Sequence, residues 1–81
     1  MNPDELLRRF EKLAPRSKEL VLKAIERPEL RLTDVAVLIG MGQGTMRDRI
    51  KKVYAGLDCD GRVDLHARLA PLLQASGLVE P

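Results

Sequence analysis

The sequence predicts an all-α protein organised around a helix-turn-helix. Apolar residues recur at helical spacing along most of the chain, and no segment shows the alternating pattern of a half-buried strand. A glycine-bracketed turn separates two of the predicted helices within 34–57, which reads DVAVLIGMGQGTMRDRIKKVYAGL. With 81 residues, the chain is long enough for one domain, 1–81, with a modest core.

The first two predicted helices precede the helix-turn-helix. The first covers 3–13, and Asn2 is placed to cap it. The second begins at Pro15 and ends near Arg27, because Pro28 cannot continue a helix. The residues predicted to be buried in these helices are Leu6, Leu7, Phe10, Leu13, Leu20, Val21, Ala24 and Ile25.

The helix-turn-helix follows a surface connection at 28–32. Thr33 or its neighbour is the predicted cap of the third helix, and Gly40 is placed to take the left-handed conformation that closes it. Gly42 then begins the fourth helix without a side-chain cap, and this helix ends near Leu57. The predicted inner face of the third helix consists of Val35, Ala36, Leu38 and Ile39.

The fourth helix, 43–57, has one apolar and one polar face. Its apolar residues fall within roughly 60° of arc at about 100° per residue, and they are Met46, Ile50, Val53 and Leu57. The residues on the opposite face are Gly44, Arg47, Asp48 and Lys51. Four cations and one acid lie between Arg47 and Lys52, so a phosphate-bearing partner would meet a local positive charge although the net charge is only +2. A solvated helix face is the alternative interpretation of this pattern.

The fifth helix is predicted to begin near Arg62 and to cover 62–76, with Asp60 as a candidate cap. Pro71 falls inside it, and a proline in a helix interior costs about 3 kcal/mol. We therefore expect a kinked helix, or a break followed by a short sixth helix that ends at Gly77. The residues predicted to be buried here are Val63, Leu65, Leu69, Leu72 and Leu73.

Composition and single residues argue against several classes of function. No run approaches the roughly 20 apolar residues that span a bilayer, and the amino terminus is too charged for a signal peptide. The only cysteine, Cys59, excludes an internal disulfide and fits a reducing cytoplasm, which predicts a cytoplasmic protein. The only histidine, His66, cannot supply a metal site of the usual ligand count. No nucleophile–base pair or phosphate-binding glycine loop is present, so we expect no enzyme activity, cofactor or metal.

Several short segments match one family's motifs, and from residue 34 to residue 64 they do so without a gap. They are LAPR at 13–16, DVA at 34–36, IGM at 39–41, GTMR at 44–47, VYAGL at 53–57 and RVD at 62–64. The last five segments are similar, in order, to the LuxR-type motifs E-I-A, L-G-I, G-T-V-K, I-Y-R-K-L and R-T-E. The first segment is similar to the opening motif of the same family. The region from Leu13 to Leu65 thus resembles the LuxR-type DNA-binding domain, a tetrahelical helix-turn-helix. To this domain the chain would add an extra N-terminal helix.

The resemblance implies a sequence-specific DNA-binding transcription regulator that places helix 43–57 in the major groove of double-stranded DNA as a homodimer. It implies base readout by Arg47, Asp48 and Lys51, and contacts to the DNA backbone by Thr45 and Arg49. Helix spacing adds Gly44 to the residues that read bases and Lys52 to the backbone contacts. An arginine can make a bidentate contact to guanine. An outward aspartate can accept a hydrogen bond from cytosine, or it can repel a phosphate. Arg62 would tie the last helix to the helix-turn-helix, as well as, or instead of, touching DNA. In the family the last helix forms the dimer contact, which here would involve Leu69, Leu72 and Leu73.

Two alternatives remain at this point. The first is a protein-interaction module that keeps the helix-turn-helix fold without its DNA contacts, for which Asp48 and the missing cap at Gly42 are arguments. An exposed apolar surface would support it, and its members would be Leu69, Leu72, Leu73, Leu78 and Val79. The second is a promoter-binding module like that of polymerase sigma factors. The controlling signal would come from a protein partner or from a missing sensory domain.

Overall fold

The computed structural model describes residues 1–80, and these form five helices. They are α1 (Pro3–Glu11), α2 (Pro15–Glu26), α3 (Leu32–Leu38), α4 (Gln43–Leu57) and α5 (Arg62–Ala75). No strand occurs within residues 1–80, which confirms the all-α class. None of the helices in this part of the chain is both long and apolar enough to cross a lipid bilayer.

One core lies between the helices, and α2 and α4 each pack against three others. α2 packs against α3, α4 and α5, while α1 packs against α4 and α5. The largest fully buried side chains come from four helices, and they are Leu20, Val21, Val35, Val53, Leu57, Leu65, Leu69 and Leu73. Leu6 and Phe10 add the inner face of α1 to the same cluster. The predicted extra N-terminal helix is therefore part of the core.

Two residues predicted to be buried lie on the surface. Leu38 is 51% exposed and Val63 is 83% exposed, so both predictions were wrong. Leu38 lies about 240° around α3 from the buried Leu32, at about 100° per residue. Val63 precedes the buried Leu65 by two positions, which turns it about 200° away. Helical spacing, and not apolar character alone, decides which side chains face the core.

The helix starts confirm one predicted cap and correct two. The Asn2 carboxamide oxygen accepts a hydrogen bond from the backbone N–H of Glu5 at 2.8 Å, as expected for a cap. Thr33 does not cap α3, because that helix begins one residue earlier and has no side-chain cap. Asp60 does not cap α5 either. Instead, the carboxylate of Asp64 reaches back to the backbone N–H of Asp60 at 3.0 Å.

The turn between α3 and α4 is closed by backbone hydrogen bonds around a left-handed glycine. Gly40 has φ of 79°. Its N–H donates to the carbonyl of Val37 at 3.0 Å, and the N–H of Met41 donates to the carbonyl of Ala36 at 2.9 Å. This pair of bonds is a Schellman motif, which requires a left-handed residue. The predicted role of Gly40 is therefore confirmed, and Met41 is buried directly after it.

α5 continues through Pro71, so of the two predicted alternatives the break with a sixth helix was wrong. Pro71 and Ala67 are both exposed. Water can therefore bond to the Ala67 carbonyl, which would otherwise accept the N–H that proline lacks. Leu69 and Leu73 are fully buried on either side of Pro71 and hold both halves of the helix on the core. Gly77, with φ of 75°, lies just beyond the end of the helix.

Candidate nucleic-acid interface

α4 carries a buried face and an exposed polar face. Met46 is 7% exposed, Val53 and Leu57 are fully buried, and Ile50 is half-buried. The opposite face consists of exposed residues, which are Gly44, Arg47, Asp48 and Lys51. This division confirms the two faces predicted from the spacing of apolar residues.

Arg47 and Lys51 are the two cations of the exposed face. Neither takes part in any of the ion pairs formed within residues 1–80. Six other cations elsewhere in that range have a carboxylate partner, and they are Arg9, Arg16, Lys23, Arg27, Arg31 and Arg68. Within residues 1–80, no carboxylate oxygen therefore lies within 4 Å of the charged nitrogens of Arg47 and Lys51, which leaves both side chains able to bind an external anion.

Asp48 is paired within its own helix. Its carboxylate lies 3.1 Å from the ammonium of Lys52, and the two side chains are 68% and 67% exposed. An exposed i,i+4 pair contributes about 0.3–0.5 kcal/mol, so a competing anion can separate it easily. The acid on the polar face of α4 thus has a neutralising neighbour that is also able to move to a phosphate.

Thr45 and Arg49, the predicted backbone contacts, lie beside the turn. Thr45 is exposed and Arg49 is half-buried. Both line a surface concavity of about 160 Å³, together with Gly40, Met41, Gly42 and Arg16. Arg16, on α2, was not among the predicted site residues, although it is the last residue of the LAPR segment at 13–16. Its presence brings a second guanidinium to the concavity that contains Arg49.

Arginines from other helices bond to the turn before α4 and to the last turn of α4. Before α4, Arg16 donates a hydrogen bond to the carbonyl of Ile39 at 3.0 Å, which fixes α2 to the end of α3. Near the end of α4, Arg9 of α1 donates to the carbonyl of Gly56 at 3.4 Å. Gly56 also allows a close approach, because a Cβ there would lie 3.4 Å from the side chain of Leu13. These contacts set the orientation of α4 relative to the rest of the fold.

Arg62 ties the last helix to α2. Its guanidinium donates to the carbonyls of Ala24, Arg27 and Leu30, the last two at 3.2 and 3.3 Å. Burial lowers the pKa of Arg62 from its ordinary value, and no carboxylate forms an ion pair with it within residues 1–80. The predicted tie to the helix-turn-helix was therefore wrong, because the partners of Arg62 are the end of α2 and the α2–α3 connection.

The predicted dimer residues need correction. Leu69 and Leu73 are fully buried in the core of the chain itself, which leaves their side chains no surface for a second copy. Leu72 is half-buried and packs against that core. Their burial follows from α5 packing against α1 and α2. The exposed side of α5 consists instead of uncharged residues, which are Val63, Ala67, Pro71, Gln74 and Ala75.

The remaining reactive groups do not gather into a site. Cys59 is 8% exposed, and burial raises the pKa of its thiol. The Nδ1 atom of His66 is buried without a hydrogen-bond partner within residues 1–80, beside a broad concavity of about 870 Å³. In the same range, no group of three or more histidine, cysteine or acidic residues is arranged to hold a metal ion.

Comparison of the chain with protein-family models, with curated proteins and with solved structures gave no match. Any function assigned to this chain therefore rests on its own residues.

Proposed function

We propose that the protein is a DNA-binding transcription regulator that places α4 in the major groove of double-stranded DNA. The observation that carries this proposal is the pair of exposed cations, Arg47 and Lys51, on the outer face of a helix whose inner face is fixed in the core. A helix with its side chains is about 10–12 Å across, and the major groove is about 12 Å wide. α4 is also long enough, at 15 residues, to present several side chains to one groove.

Contacts to the DNA backbone would come from residues at the start and on the flanks of α4. Thr45, Arg49 and Lys52 were predicted for this role, and Arg16 shares a concavity with two of them. In addition, α4 has no side-chain cap at Gly42, so free backbone N–H groups remain at its first turn. Such groups and the positive end of the helix dipole favour a phosphate.

The experiment that tests DNA binding is a salt titration with matched charge variants. The double variant Arg47→Ala, Lys51→Ala is compared with Arg8→Ala, Lys12→Ala, which removes two exposed cations from the α1 region. We expect the first to weaken binding by roughly tenfold or more and to reduce the slope of log K against log salt concentration by about two. The second should bind nearly as tightly as the wild type.

Two results would count against the proposal. Equal losses in both double variants would indicate unspecific attraction to the net charge and not recognition by α4. A selection from randomised duplexes that enriched no sequence would remove DNA recognition altogether.

A homodimer would present two copies of α4 to two half-sites about 34 Å apart. Since Leu69 and Leu73 are buried, we place the contact on the exposed uncharged side of α5, around Val63 and Ala67. Light scattering should then show a dimer that Val63→Asp converts to a monomer. A wild-type monomer at high protein concentration would exclude this arrangement without affecting DNA binding by one copy.

A protein-interaction module is the second candidate function, and one observation favours it. Val37 and Leu38, adjacent on α3, are 61% and 51% exposed. Phosphates would gain nothing from these apolar side chains, whereas another protein could bury them. Under this alternative, Val37→Asp would abolish biological activity while the Arg47→Ala, Lys51→Ala variant would keep it. The opposite result supports DNA binding.

A further inference from the structure

The centre of the polar face of α4 is occupied by an acid and a glycine, not by the cations. Taking Met46 as the reference, Asp48 lies about 200° and Gly44 about 160° around the helix at about 100° per residue. Lys51 lies at about 140° and Lys52 at about 240°, on the two flanks, and Arg47 lies further round at about 100°. A helix that enters a groove with this face therefore turns Asp48 and Gly44 towards the bases and its flanking cations towards the phosphate strands.

Asp48 is equipped to face DNA despite its negative charge. Lys52 lies 3.1 Å from its Oδ2 atom and offsets that charge within the same helix. This contact leaves Oδ1 able to accept a further hydrogen bond. The side chain is 68% exposed, so a base edge can reach it without any rearrangement of the fold.

Gly44, one turn before Asp48, allows the bases to come close. A Cβ placed on Gly44 would meet no atom within 4 Å, so the backbone is open to solvent at this point. Aspartate has a short side chain, and its carboxylate can reach a base only if the helix backbone approaches the groove floor. The missing side chain at Gly44 permits this approach.

We propose that Asp48 is a specificity-determining residue that accepts a hydrogen bond from the exocyclic N4 amino group of a cytosine; this inference rests on the proposed DNA-binding function. In the major groove guanine presents the acceptors N7 and O6, and thymine presents the acceptor O4, all of which repel a carboxylate. Adenine offers an N6 donor but places the N7 acceptor beside it. Cytosine alone presents a donor without an adjacent acceptor of its own.

The test is a selection of bound duplexes from a randomised pool with the full chain, its Asp48→Asn variant and an Asp60→Asn control. Asp60 is an exposed acid outside α4, so the control makes the same change of charge elsewhere. We expect the wild type to prefer cytosine at one position by roughly tenfold. Asp48→Asn should convert that position to adenine, because an amide bonds to both N6 and N7 of adenine. All other positions should stay as they are.

The possible outcomes distinguish a failure of the role of Asp48 from a failure of the proposed DNA-binding function. A motif that Asp48→Asn leaves unchanged, or that Asp60→Asn alters in the same way, overturns the role of Asp48 while DNA binding stands. If the wild type enriches no sequence, the proposed function fails and the inference fails with it. Circular dichroism of both variants checks that an altered motif does not come from an altered fold.

Discussion

Replacing Arg62 by methionine is expected to destabilise the protein strongly, because one guanidinium donates to three backbone carbonyls at the end of α2 and in the α2–α3 connection. The acceptors are Ala24, Arg27 and Leu30. The last carbonyls of a helix have no partner inside it, and the negative end of the helix dipole attracts a cation. Methionine would keep the apolar stem of the side chain and remove every donor.

The size of the effect follows from these contacts. A hydrogen bond that involves a charged group contributes about 1.5–3 kcal/mol. The three bonds share one half-buried side chain, and two of them are long at 3.2 and 3.3 Å, so their energies do not add in full. We therefore expect Arg62→Met to lower the free energy of unfolding by about 2–4 kcal/mol, a large part of the roughly 5–15 kcal/mol of a typical domain.

Urea unfolding followed by far-ultraviolet circular dichroism measures this loss. Arg8→Met is the matched control, because Arg8 is exposed and forms no ion pair within residues 1–80, and it should change stability by no more than about 0.5 kcal/mol. Arg62→Lys should fall between the two, since an ammonium keeps the charge but cannot reach all three carbonyls. Equal stabilities for Arg62→Met and Arg8→Met would refute the capping role of Arg62.

Two further predictions concern the backbone and the thiol. Gly40→Ala should lower the free energy of unfolding, measured in urea, by about 1–2 kcal/mol, because φ is 79° there although no atom obstructs a Cβ. Gly44→Ala, inside α4, should raise the free energy of unfolding by about 0.5–1 kcal/mol. A Gly40→Ala variant more stable than Gly44→Ala would contradict the left-handed turn. Burial raises the pKa of the Cys59 thiol in the folded chain. The protonated thiol therefore contributes fully to stability below the pKa that Cys59 has in the unfolded chain, and this contribution is lost as the pH rises through its pKa in the folded chain. Stability should therefore fall at alkaline pH less in Cys59→Ala than in the wild type, and thiol labelling should be slow until urea unfolds the protein.

Helix positions could be predicted from the sequence where residues restrict the backbone by themselves. Pro15 and Pro28 bracket α2, and Asn2 caps α1, so these limits follow from local chemistry. Gly40 and Gly42 likewise mark the end of α3 and the start of α4. Such signals act over a few residues and therefore survive without knowledge of the tertiary structure.

Contacts between distant parts of the chain could not be predicted in the same way. Arg16 reaches a carbonyl 23 positions away, Arg62 one 38 positions away and Arg9 one 47 positions away. A long flexible side chain can bond to any exposed carbonyl that the fold brings near, so no spacing in the sequence marks the pair. The exposed cations of α4 were predictable for the opposite reason, because their placement depends only on the period of one helix.

The supports at the two ends of α4 separate recognition from stability. Arg16 bonds to the carbonyl of Ile39 at the end of α3, Arg9 bonds to the carbonyl of Gly56 near the end of α4, and buried residues such as Met46 hold α4 on the core. None of these contacts uses the polar face. Arg47→Ala should therefore change the free energy of unfolding by no more than about 0.5 kcal/mol, whereas Met46→Ala should cost about 2–5 kcal/mol. If Arg47→Ala lost DNA binding and stability together, Arg47 would have a structural role, and its effect on binding could no longer be ascribed to contact with DNA.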